Sequence, residues 1–122
     1  MHCVSLYPCP SHLANVSAIK TLRDSTFKGL NVGYSDHTIG PTAACMAVTL
    51  GASVIEKHFT LDIMDDGPDH AMSSDLVMFR QMVAEIRLTE RMLGHGRKEP
   101  SDEELAMIPR IRKDAEGFQP GL

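Results

Sequence analysis

Two histidines, a glutamate, two serines and a tyrosine fall at matched places along this 122-residue chain. Side chains alternate along a strand, so residues two apart share a face. That rule groups Cys3, Ser5 and Tyr7 in one run, Gly33, Ser35 and His37 in a second, and Val54, Glu56 and His58 in a third. Each set turns polar toward its carboxyl end, where α/β folds build their sites. His37 and His58 lie one repeat apart, which puts them on neighbouring strand ends. At a strand spacing of roughly 4.8 Å, two imidazoles can share one metal ion at about 2.1 Å each. Glu56 faces the same side and can add an oxygen ligand or hold a metal-bound water. Two histidines, a carboxylate and open water positions suit Mn²⁺, Fe²⁺, Co²⁺ or Zn²⁺ better than a closed structural site. Spacing alone accommodates a second reading, in which both histidines are hydrogen-bonded core residues.

The neighbours of these residues admit paired readings too. Ser5 and Ser35 can donate to an anion at a barrel mouth, or bond backbone as strand-end serines. Tyr7 can point its phenol into the same cavity, or pack on Pro8. Asp36 lies between Ser35 and His37 and faces the other way, which suits a helix or loop cap on the outer face. The stretch Asp65-Asp66-Gly67-Pro68-Asp69-His70 follows the third strand and sits on the same side. It lacks the ligand spacing of an EF-hand, so it reads as a turn or a substrate-facing lid. Cys3, Cys9 and Cys45 have no activating base at fixed spacing and read as structural thiols. The methionines read as core packing.

Three strand-then-helix units must carry these groups. Strands are expected over residues 1–7, 30–35 and 53–59. After the first, Ser11 caps a helix with apolar positions Leu13, Val16, Ile19 and Leu22. After the second, a helix of small apolar residues begins near Gly40-Pro41 and runs to Gly51. After the third and its loop, residues 61–72, Ser73 or Ser74 caps a helix with core positions Leu76, Phe79, Val83, Ile86 and Leu93, ending at Gly94. From His95 the sequence turns polar and reads as an exit linker, with no element expected beyond Leu105 to Ile108. The domain reading is therefore 1–95 for the folded unit and 96–122 for a linker or tail. Successive βα units imply parallel strands with right-handed crossovers. Three parallel strands cannot close a barrel, and parallel sheets have both faces covered, so the chain reads as part of a larger α/β protein.

Composition limits the alternatives. Twelve Lys and Arg against sixteen Asp and Glu give a net charge of −4, which argues against a nucleic-acid or polybasic membrane partner. An apolar fraction of 43% is that of an ordered soluble domain, and no apolar run reaches the roughly 18 residues of a membrane span. The start, Met1-His2-Cys3-Val4-Ser5, lacks the basic and apolar regions of a secretory signal. Three cysteines without CxxC spacing point to a reducing, cytoplasmic setting rather than a disulfide framework.

Taken together, His2-Cys3-Val4-Ser5-Leu6-Tyr7-Pro8, Gly33-Tyr34-Ser35-Asp36-His37-Thr38, Glu56-Lys57-His58-Phe59-Thr60 and Gly67-Pro68-Asp69-His70-Ala71-Met72-Ser73 resemble the N-acetylneuraminate (sialic acid) synthase family. The family takes in synthases of legionaminic and pseudaminic acid and spore-coat polysaccharide members. The resemblance runs from about His2 to Glu104. It implies a (β/α)₈ TIM barrel of which this chain is strands six to eight. It further implies condensation of phosphoenolpyruvate with an N-acetylated hexose, with phosphate release and a divalent metal, Mn²⁺ or Mg²⁺, on the sugar aldehyde. His37 and His58 match the family's metal ligands and Glu56 the acidic residue beside the metal. Ser5, Tyr7 and Ser35 match positions lining the phosphoenolpyruvate pocket, Ser5 standing where some members carry asparagine. Asp69 lies toward the sugar.

The family's phosphate-gripping lysines, a sugar-facing glutamate on earlier strands, and the antifreeze-like domain that covers the partner's site in a homodimer have no counterpart here. The chain alone is therefore expected to be an inactive fragment. Two other classes are carried beside this one: a non-catalytic barrel remnant serving as an interaction module, and a metal-dependent aldolase or hydrolase.

Overall fold

The structure, a computed structural model, describes residues 1–25 and 29–111. Strands β1 (His2–Cys3), β2 (Gly33–Asp36) and β3 (Val54–Lys57) pair in parallel, in the order β1-β2-β3. Helices α1 (Ala18–Asp24) and α2 (Thr42–Thr49) make the two crossovers, α3 (Leu76–Leu93) follows the third strand, and α4 (Asp102–Ile111) closes the described chain. This is the expected α/β succession, with strands shorter than periodicity suggested. β1 stops at Cys3 because the His37 ring, not a strand partner, takes the Val4 carbonyl, and the Cys9 amide reaches the His37 carbonyl.

Register aligns the rows of side chains. Ser35 stands opposite Cys3 on one side and Glu56 on the other, and Asp36 stands opposite Lys57. Gly33 begins the row that ends in His37. A side chain there would approach the Val54 carbonyl to 3.1 Å, so glycine permits the close strand pairing at its base. On the opposite face, Tyr34 is 1% exposed and packs with Ile19, Val32, Ala43 and Ala47 between the sheet, α1 and α2. Ala44 joins Met82 and Ile86 in a second cluster between α2 and α3. The small residues of α2 thus serve two neighbours at once, as a helix of that composition requires. The other face of the sheet is open: Val54 is 48% exposed, and Cys3 and Glu56 are exposed with it.

The structure corrects several local expectations. The expected first helix is broken. A 3₁₀ turn covers Ser11–Leu13, Asn15 takes φ 44°, and α1 begins only at Ala18. Asn is among the few residues that occupy this region readily. Val16 and Ile19 are buried but Leu13 is exposed. Asp75, not Ser73 or Ser74, caps α3 by accepting from the Met78 amide at 2.8 Å. The serines are consumed elsewhere: Ser74 bridges to Phe59, and the Ser73 hydroxyl donates to the Asp69 carbonyl. Met82 and Ile86 form the buried stripe of α3 while Leu76, Val83 and Leu93 are exposed. Gly94, at φ 59°, ends the helix as expected. The polar stretch read as a linker contains α4, started by a reciprocal cap: the Ser101 amide donates to Glu104 and the Glu104 amide to the Ser101 hydroxyl. Among the described residues no helix is long and apolar enough to cross a membrane.

Candidate metal and substrate site

Beyond the carboxyl ends of β2 and β3 the two histidines meet. Their ring centroids are 5.5 Å apart in an edge arrangement, and the Tyr7 ring lies 4.5 Å from His37 and 4.4 Å from His58. The His37 ring is oriented by Nδ1, 2.9 Å from the Val4 carbonyl. A carbonyl can only accept, so Nδ1 carries a proton, and in the neutral ring the lone pair is then on Nε2. That is the tautomer a metal-binding histidine adopts when its second nitrogen is held by backbone. The Cys3 sulfur approaches the same Nε2 at 3.9 Å. His58 Nδ1 faces Asp69 Oδ2 at 3.8 Å, too long for a hydrogen bond but placing a carboxylate at the edge of the group.

Ser35 and Glu56 lie one step deeper. The buried Ser35 hydroxyl donates to Glu56 Oε1 at 2.6 Å, fixing the carboxylate toward the two imidazoles' side of the sheet. Tyr7 is half-buried, and burial pushes its phenol above the usual range. The Ser73 hydroxyl pulls it partly back, while the Asp69 and Asp36 carboxylates raise it further. Ser5 is exposed two residues before Tyr7. The sequence-derived residues His37, His58 and Tyr7 thus come together beside the Ser35–Glu56 pair, with Asp69 at the rim, while among the described residues no contact ties Ser5 to the group.

The donor chemistry fits a divalent cation in part. Two imidazoles sit close enough to share one ion, and one has its second nitrogen already satisfied. Among the described residues, however, no three His, Cys, Asp or Glu side chains converge as a complete ligand set.

Two features of the site have no local sequence signal. Ser73 meets the Tyr7 phenol because the loop after β3 folds back, which no local pattern signals. Lys57 carries no local signal of burial, yet its ammonium sits 2.8 Å from Asp36 Oδ2, with 5% and 0% of the two side chains exposed. Asp36 does cap, as expected, accepting from the Thr38 amide and hydroxyl. In the loop after β3 the Asp62 carboxylate accepts from the Met64 amide, and the Thr60 hydroxyl pairs with His70 at 2.7 Å. All three cysteines are free, and burial, chiefly, raises the Cys9 thiol pKa.

The chain resembles known proteins over most of its length. Residues 1–98 match the NeuB family. An uncharacterised protein of Methanocaldococcus jannaschii is 52% identical over 93% of this chain and 33% of its own length. The N,N'-diacetyllegionaminic acid synthase of Legionella pneumophila is 46% identical over 93% of this chain and 31% of its own. Among solved structures, the N-acetylneuraminic acid synthetase of Leptospira borgpetersenii superposes with a TM-score of 0.74 at 37% identity, covering 93% of this chain and 40% of that one. The chain thus spans about a third of the length of the curated relatives it matches.

Proposed function

The chain belongs to the NeuB family, and on that premise we propose that it forms the last three βα units of a (β/α)₈ synthase barrel. The barrel condenses phosphoenolpyruvate with an N-acetylated hexose and releases phosphate. The observation that carries this reading is the convergence of His37, His58 and Tyr7 over the Ser35–Glu56 pair at the carboxyl ends of parallel strands. His37 and His58 would hold Mn²⁺ or Mg²⁺, which supplies Lewis-acid polarisation of the sugar aldehyde.

The chain's own residues then have distinct tasks. Glu56, held by Ser35, orients the water that attacks the oxocarbenium-like carbon derived from phosphoenolpyruvate. Tyr7 stays a neutral hydrogen-bonding phenol, because burial opposes its ionisation. It closes the floor between the imidazoles and contacts substrate together with Ser5. Asp69 accepts from sugar hydroxyls at the rim. Residues outside this chain complete the phosphate grip, so the 122 residues alone are inactive, and the working enzyme is a cytoplasmic homodimer.

The test is a graft. Residues 1–98 replace the matching segment of the L. pneumophila synthase, and formation of product and phosphate is followed. The graft is expected to turn over, and His37→Ala or His58→Ala to abolish turnover. Turnover retained in either variant contradicts the reading.

A further inference from the structure

We propose that Asp36 and Lys57 are a positioning pair that sets the separation of His37 and His58, an inference that rests on the metal reading above. The two residues are register partners on β2 and β3, and each immediately precedes one of the histidines. Strand alternation sends the pair to the outer face and the histidines to the inner one. A tie between the first two therefore fixes where the second two leave the sheet.

The tie is built into the backbone on both sides. The Lys57 ammonium has three acceptors: Asp36 Oδ2 at 2.8 Å, the Thr38 carbonyl at 2.6 Å and the Gly40 carbonyl at 3.3 Å. The other oxygen of Asp36 accepts from the Thr38 amide and hydroxyl at 2.9 and 2.8 Å. The segment that emerges from β2 through His37 is thus wrapped around a cation anchored on β3. Every buried side-chain nitrogen and oxygen among the described residues has a partner, so this network is complete.

A buried ion pair is a poor way to gain stability, since an apolar pair of similar volume is often as stable or more so. What the apolar pair lacks is direction. Three charge-assisted bonds specify one geometry, and a metal site needs its ligands held to within about 0.5 Å.

The experiment uses the grafted synthase with Asp36→Leu/Lys57→Met, which replaces the ion pair by apolar groups, and Thr38→Val, which removes one bond and keeps the charges. Mn²⁺ affinity is read by electron paramagnetic resonance, and the His37–His58 ring separation by crystallography of the metal-free protein. The inference expects the double variant to fold, its rings to depart from 5.5 Å, and its Mn²⁺ affinity to fall about ten- to a hundredfold. Thr38→Val is expected to weaken binding less, in the same direction. Folded variants with unchanged rings and unchanged affinity overturn the inference; if the double variant does not fold, Thr38→Val decides by the same two readings. A parent graft that binds no Mn²⁺, with rings that still move in the variants, overturns the metal reading and leaves the positioning role standing. A parent whose binding is lost in His37→Ala but kept in the pair variants does the reverse.

Discussion

The Ser35 hydroxyl reaches across the strand register to donate a 2.6 Å hydrogen bond to Glu56. A charge-assisted bond this short orients the carboxylate more than it stabilises the sheet, because Glu56 itself is exposed. Glu56→Gln keeps an oxygen to accept from Ser35 but loses the charge. It is expected to leave the fold's stability unchanged, within about 0.5 kcal/mol, while lowering turnover of the grafted synthase by about 10²-fold or more. Paired urea denaturation and kinetics check it.

Removing one partner of the Asp36–Lys57 pair leaves the other buried and uncompensated. Lys57→Met alone is expected to destabilise by about 3–5 kcal/mol, and the Asp36→Leu/Lys57→Met double variant by much less. Equilibrium unfolding of the grafted synthase and its variants measures both, and equal losses would contradict the expectation.

The chain has two tyrosines, and burial chiefly raises the pKa of each; Asp36 adds to the effect on Tyr34, and Asp69 on Tyr7. A phenol whose pKa is raised by folding contributes stability that is present below its unfolded value, about 10, and is lost as pH rises through the folded value. Ultraviolet titration of the 122-residue chain should therefore show tyrosinate appearing above pH 10 in buffer and near pH 10 in denaturant. The tyrosines' contribution to stability should fall only on the alkaline side.

The reciprocal cap of Ser101 and Glu104 starts a helix too short to persist unaided. Ser101→Ala is expected to cost about 1 kcal/mol at that terminus. It should speed hydrogen exchange several-fold at the Leu105 amide, which bonds the Ser101 carbonyl, and leave amides of α3 unchanged.

The site was more legible than the elements around it. A period of two groups Ser35 with His37 and Glu56 with His58 whatever the exact strand ends, and the β2–β3 register then sets Ser35 beside Glu56; β1 ends at Cys3, so Ser5 and Tyr7 lie beyond the strand that was to align them. Helix starts were less legible, because a cap depends on which nearby polar residue is already engaged. Ser73 and Ser74 look like caps in sequence, but bonds to Asp69 and to the strand end of His58 and Thr60 occupy them. The break at Asn15 is hidden behind an intact apolar period, and the Ser101…Glu104 signature lies inside a polar run that resembles a linker. Lys57 reads as solvated until the β2–β3 register sets it against Asp36.

Manganese titration of the grafted synthase, beside its His37→Ala and His58→Ala variants, tests the account at its centre. The account predicts that the parent binds one ion per chain and that each variant, folded by circular dichroism, loses it. Binding that persists undiminished in either folded variant would contradict it.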